Sequence, residues 1–396
     1  MSKHKTYLIF LILLSLIGQG SITTFVPGLP TIATDLNIRN SVAAELTSSY
    51  LLGLAVTSLI VGAISDRYGR KKVIIISSII YTLSSAFSIF LDNILYLSYL
   101  RFLQALGGGA LLIMSHAIVT DCYTQNNRTK VLSIIYPMIT ISPPIGMLIG
   151  GLITNIFEWK TIYIFLSCCS LAICTFAILC FQETKQASTI QPIKPSILIK
   201  NYLYILKNPV FIGYTTLNCL TATIIYSYFA DAPFILMDLN MSAAEIGYLI
   251  ASTSFGVVIG NFICNQTLNI LSFNKITTIA ITIILCGALF LFATTYDGAQ
   301  DTSEVIIPFF VISIGIGIII PLLVSKVSHE FESIEGSTLG LYNFFRAITC
   351  AATTRYVGEF TSQDPNNMSI YITIFALFMI ITFGWITFYN KKHSSQ

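Results

Sequence analysis

Charge is what this chain has least of. Asp, Glu, Lys and Arg make up 10% of its 396 residues, where a soluble domain carries about 25%. A water-facing surface cannot be covered with so few charges, which excludes an ordinary soluble fold. The net charge of +3 is also too small to suggest a nucleic-acid partner. Ordered cysteine patterns are missing as well. Nine cysteines are present, but none form a CxxC pair or a Cys/His ligand spacing, so they read as small packing residues and imply no metal. HExxH, GxSxG and the phosphate-cradling P-loop are absent too. Their absence leaves no signature for an intramembrane enzyme or an ATP-driven pump, and no cofactor is expected.

What the chain has is apolar length. Hydrophobic residues make up 55% of it, and the mean hydropathy is +0.79, so lipid is the expected solvent. A spanning helix needs roughly 20 apolar residues. Runs of that length predict twelve helices, at 7–28, 41–64, 73–91, 95–120, 131–153, 161–181, 209–236, 243–268, 274–296, 304–325, 336–358 and 369–389. Lys3 and Lys5 precede the first run as in a signal peptide. No small-residue cleavage site closes that run, so it reads as an uncleaved first helix.

The basic residues test this count. With the N-terminus in the cytoplasm, sixteen of the 21 Lys and Arg residues fall on cytoplasmic segments, and three (Arg39, Lys160 and Arg355) fall outside. Arg101 and Arg346 lie within helices. This asymmetry follows the positive-inside rule and predicts both termini in the cytoplasm. The longest polar break, 182–208, contains Pro192, Pro195 and four lysines. It divides the chain into an N-terminal six-helix half (1–181), a cytoplasmic linker (182–208) and a C-terminal six-helix half (209–396). The end of the linker, Ser196 to Lys207, is amphipathic and is expected to lie in the membrane interface. Two six-helix halves suggest a duplicated transporter with its substrate near the midplane.

The most specific motif follows the second run: Gly62, Asp66, Arg67, Gly69, Arg70 and Lys71, with Lys72 completing a basic cluster. Gly62 would admit a close helix neighbour, and Asp66 can pair with a base or a helix N-terminus. Gly69 would permit the tight reversal, and the basic cluster would hold anionic headgroups. This segment resembles the loop signature of the major facilitator superfamily, with Ile64 where leucine is usual. Leu97, Arg101, Gln104, Ala105 and Gly107 resemble the arginine signature of twelve-helix drug:proton antiporters. Phe25 to Pro30, Asp121 and Glu158-Trp159-Lys160 resemble Bcr/CflA-type bacterial exporters. The resemblance is close in the first half. In the second half it rests on helix layout and on Ala232-Pro233-Phe234.

The resemblance implies an all-α polytopic protein of the major facilitator fold in a bacterial inner membrane. Such a protein exports a drug or a self-made metabolite, for example a siderophore, by proton-coupled alternating access, and a monomer is expected. Uptake of a nutrient or siderophore is the rival direction, and a non-transporting receptor is the rival class. The resemblance links Arg101 to proton coupling. On the residues alone, Arg101 lies roughly 12 Å past the helix start, a depth at which a charge implies function or a structural interhelical pair. Arg346 is a second such charge. It would bind an anionic or zwitterionic substrate, or else snorkel or pair with a neighbouring helix.

The fifth run carries Pro143, Pro144, Gly146, Gly150 and Gly151. It resembles an exporter signature in which Met147 replaces a proline, and Ser133 and Ser142 replace glycines. Its small residues would pack closely, and its prolines would kink the helix. The first run holds Thr23 and Gln19 but no carboxylate, where Bcr/CflA-type proteins commonly place an acid. Asp231 is left as the candidate proton carrier, unless it sits at the outer interface. His116 is a weaker carrier candidate and otherwise a packed histidine. Tyr226, Tyr228, Phe229, Phe234, Phe344 and Phe345 would line a cavity or serve as ordinary membrane aromatics.

Overall fold

The computed structural model describes residues 3–122, 125–185, 195–268, 270–360 and 364–393. Pro192 and Lys194 of the linker lie outside these residues, as do the side chains of Lys3, Lys5, Arg128, Lys130 and Ser133. The described residues form helices and no strands. In lipid this is the expected outcome, because a helix satisfies its backbone polar groups internally.

The helices begin with α1 (Lys3–Thr23), the short α2 (Leu29–Asp35) and α3 (Asn40–Ala43), α4 (Glu45–Tyr68) and α5 (Arg70–Ser88). α6 (Ile94–Cys122), α7 (Gln125–Ile156), α8 (Thr161–Leu179), α9 (Pro195–Leu206) and α10 (Pro209–Asp238) follow. α11 (Ala243–Thr267), α12 (Phe273–Thr295), α13 (Ser303–Glu330), α14 (Glu335–Phe360) and α15 (Pro365–His393) complete the chain. Each of the twelve expected spans has one long helix as its main part, and the amphipathic linker segment coincides with α9. Ten helices among the described residues are long and apolar enough to cross a bilayer. The other two long helices, α5 and α14, are more polar. Several of their hydroxyls bond within the helix: Ser85 donates to the Tyr81 carbonyl, Ser88 to that of Ser84 and Thr354 to that of Cys350. A hydroxyl bonded to its own helix can remain in an apolar environment.

Two local departures have proline as their cause. The first span was expected to run to residue 28, but α1 ends at Thr23. Pro27 and Pro30 then occupy the first turns of a 3-10 turn (Val26–Gly28) and of α2, where a missing N–H costs nothing. α7, in contrast, runs on through Pro137, Pro143 and Pro144. Pro143 cannot donate to the Ile139 carbonyl, and the Ser142 hydroxyl does so instead at 2.8 Å.

Contacts divide the chain into two units, Met1–Lys194 with Ala243–Tyr248, and Pro195–Ser242 with Leu249–Gln396. In the first unit, α1, α4, α5, α6 and α8 meet around Phe10, Leu14, Ile74, Leu111 and Met114. In the second, α10 packs on α13, α14 and α15, and α12 packs on α13 and α15. α10 is the most enclosed of these helices, with its residues buried almost continuously from Thr221 to Leu236.

Candidate functional site

Arg101 lies on α6 and is fully buried in the first unit. No ion pair among the described residues involves it. Aromatic faces surround the guanidinium instead: its carbon is 4.3 Å from the centre of the Phe25 ring and 4.5 Å from that of Tyr50. Phe25 comes from the turn after α1 and Tyr50 from α4, so two elements close on a third. The negative face of an aromatic ring attracts a cation, most strongly where water is excluded. One Arg101 nitrogen donates to the Gln104 amide oxygen, and another donates to the Ser21 carbonyl at 3.3 Å.

These contacts extend outward. Gln104 donates to Ser85 at 2.7 Å, and the Ser21 and Tyr81 hydroxyls share a hydrogen bond of 2.5 Å. Gln104 sits one turn from Arg101 on the same face of α6, as side chains three apart on a helix must. The result is a permanent cation held by π-faces and neutral dipoles. Arginine does not deprotonate in proteins, so this charge is a fixed source of field inside the unit.

At the α4–α5 reversal, Gly69 has φ +89°, a conformation that costs glycine little and other residues more. It is also sterically committed, because a Cβ there would run into the Glu183 carboxylate. Glu183 caps α5 by accepting from the backbone N–H of Arg70 at 2.9 Å and of Lys71 at 3.1 Å. Those N–H groups open the helix and have no partner within it. Burial opposes the charged form of Glu183. The N–H groups of Lys185, Arg70, Lys71 and Thr184 outweigh that and hold its carboxyl below the ordinary glutamate range. The Arg70 guanidinium pairs with Asp121 at 2.8 Å and Asp66 at 3.0 Å, and Lys185 pairs with Asp66 at 2.9 Å.

This latch joins the α4–α5 turn, the end of α6 and the segment after α8. Glu183 and Lys185 were not singled out in the sequence. The one available signal was their charge just past a span, and nothing local indicated that they would fold back on Gly69. Gly62 does not serve as a close-packing point: a Cβ there would meet no atom within 4 Å. Arg67 stacks against its neighbour Tyr68, 5.2 Å from the ring centre.

The fifth-span residues make the α1–α7 crossing. A Cβ at Gly150 would collide with the Thr24 carbonyl, and one at Gly146 would press on the Gly20 carbonyl and Thr23. The Thr23 hydroxyl donates to the Pro143 carbonyl at 2.9 Å. Gly151 faces Gly247 at the start of α11. At the far end of this unit, Trp159 donates to Asp35 at 2.8 Å and Lys160 pairs with Asp92.

In the second unit, Asp231 is fully buried on α10, seven residues before the end of that helix. Tyr228, one turn before it, stacks on Phe309 of α13 with ring centres 3.5 Å apart. Tyr228 and Phe234 are thus packed within this unit, while Phe344 and Phe345 stay partly exposed. Arg346 is partly buried on α14, one turn from Tyr342 and one turn from Cys350. His116, in the first unit, has its Nδ1 3.2 Å from the Leu112 carbonyl of its own helix.

The long apolar helices define a multi-pass membrane protein. The chain belongs to the major facilitator superfamily, whose profile matches residues 9–354. It is 24% identical over 394 residues to an "Uncharacterized transporter" of Rickettsia felis, covering 97% of each chain. It is 29% identical over 250 residues to "Multidrug resistance protein MdtL" of Escherichia coli, covering 63% of each. Among solved structures it is similar to a D-xylose-proton symporter, with a TM-score of 0.76, 14% identity, and 96% of this chain and 97% of that one covered. At that identity the likeness shows the fold. A superfamily of transporters makes this chain a transporter and not an enzyme.

Proposed function

We propose that this protein is a proton-coupled exporter of a small molecule, of the drug:proton antiporter type and Bcr/CflA-like, working by alternating access in a bacterial inner membrane. The small molecule is a drug or a self-made metabolite, and both termini face the cytoplasm. The observation that carries this reading is Arg101, fully buried on α6 within a π-lined cage and without an ion pair among the described residues. A charge is kept at that depth at a cost, and in membrane helices such charges mark coupling or transport pathways. The partial likeness to the multidrug resistance protein MdtL supports export over uptake.

Coupling needs a group that takes up and releases a proton, and Arg101 cannot be that group. Asp231 is the carboxylate assigned to that role, and its full burial on the most enclosed helix of the second unit supports the assignment. Protonation shifts an alternating-access equilibrium only by its differential effect on the two states. The test is accumulation of a drug and metabolite panel in an efflux-deficient host carrying wild-type protein, Arg101→Ala or empty vector, with and without a protonophore. Export lost with either the protonophore or Arg101→Ala supports the reading. Protonophore-sensitive uptake of a panel compound would reverse the direction.

A further inference from the structure

α14 carries Tyr342, Arg346 and Cys350 at successive four-residue intervals, a spacing that puts them on one helix face. Cys219 of α10 faces that stripe, and Arg346 is close enough to act electrostatically on Tyr342, Cys219 and Cys350. No ion pair among the described residues neutralises Arg346. Unlike Arg101, it has no aromatic face against its guanidinium among the described residues. It is also only partly buried.

A second observation points to a ligand. The Tyr342 hydroxyl is 1% exposed as a residue and has no hydrogen-bond partner among the described residues. The same holds for the Asn218 amide nitrogen, beside Cys219 on α10, in a residue 2% exposed. A buried donor without an acceptor costs roughly 1–3 kcal/mol, and native proteins keep few of them without a reason. The Asn218 amide nitrogen is a donor and the Tyr342 hydroxyl can act as one, and among the described residues the charge placed beside them, Arg346, is positive. The missing component is an acceptor with negative charge.

We propose that Arg346 and Tyr342 form a binding site for the carboxylate of a small organic monoanion, an inference that rests on the transporter reading and names the substrate class. A carboxylate offers two oxygens to the guanidinium fork and keeps lone pairs for a hydroxyl donor. A single guanidinium balances a single negative charge.

Binding is measured apart from transport, on purified full-length protein in nanodiscs. The probes are a series of aromatic and aliphatic monocarboxylates, each paired with its neutral amide and with an amine of the same shape. The readouts are the shift in thermal unfolding and protection of Cys219 from a thiol reagent, with Cys219→Ser as the control for labelling site. The carboxylates are expected to raise the midpoint and slow labelling, and the amides and amines to do neither. Arg346→Gln is expected to weaken carboxylate binding by about ten- to a hundredfold. Arg346→Lys keeps the charge but loses the fork, so it is expected to fall between. Tyr342→Phe is expected to weaken binding by about three- to tenfold while leaving the unliganded midpoint near wild type.

If Arg346→Gln does not fold, Arg346→Lys and Tyr342→Phe carry the test. Equal binding of carboxylate and amide, or carboxylate binding unchanged in those variants, overturns the proposal. Proton-driven export of cations without carboxylate binding overturns it while leaving the exporter reading intact. Carboxylate binding lost in Arg346→Gln, in a protein without proton-driven export, supports this site and removes the exporter reading.

Discussion

The Arg101 guanidinium rests 4.5 Å from the centre of the Tyr50 ring, between that ring and Phe25, with no ion pair among the described residues. A buried cation is usually matched by a carboxylate. Here π-faces, the Gln104 amide and the Ser21 carbonyl take that place. The charge is stabilised without being cancelled, so its field is available to respond when a carboxylate or substrate changes state.

The cage can be dissected by ring and by fork. Tyr50→Leu removes one π-face and is expected to lower stability by about 0.5–2 kcal/mol. Tyr50→Phe keeps the face and is expected to stay close to wild type. Arg101→Lys keeps the charge but loses the planar stack and is expected to abolish export while the protein still inserts. Thermal unfolding in detergent together with whole-cell efflux separates these outcomes. A Tyr50→Leu protein as stable as Tyr50→Phe would contradict the cage.

The latch predicts an acid-side loss of stability. Glu183 has a folded-state pKa below its unfolded value. Its contribution is therefore present above the unfolded pKa and is lost as pH falls through the folded one. The wild-type unfolding midpoint should drop as pH falls below about 4. In Glu183→Gln that component should be missing, and the variant should already be weaker at neutral pH. Parallel pH profiles for the two proteins would exclude a capping role.

Two glycines should behave oppositely. Gly150→Ala places a Cβ on the Thr24 carbonyl, and overpacking of this kind costs about 1–3 kcal/mol. Gly62→Ala meets open space within a helix and is expected to stabilise by about 0.5–1 kcal/mol. Apparent melting points of the two variants check both signs in one experiment.

Local chemistry could be read from the chain, and long-range packing could not. The spans were legible because lipid requires long apolar helices, and Gly69 because a tight reversal needs positive φ. Arg101 was visible as a misplaced charge, but its cage was not. Phe25 and Tyr50 are 76 and 51 residues away in sequence, and nothing local aims them at α6. Glu183 was missed for the same reason, lying 113 residues from the Arg70 it caps. Gly62 shows the converse error: a small residue in a motif suggested a close neighbour, and the fold leaves that position open. The end of the first span was misplaced because Pro27 and Pro30 sit inside an apolar run that hydropathy alone reads as continuous.

Asp231 is the remaining link between fold and coupling, and it supports the most direct measurement. In everted vesicles energised to an acidic interior, substrate entering by antiport should carry protons out and raise the fluorescence of a pH-sensitive dye. With an exported compound from the panel, wild-type vesicles are predicted to show that rise. Asp231→Asn vesicles with equal protein are predicted to show none, while still binding the compound. A proton signal of wild-type size from Asp231→Asn would contradict the account and move the coupling proton to another group.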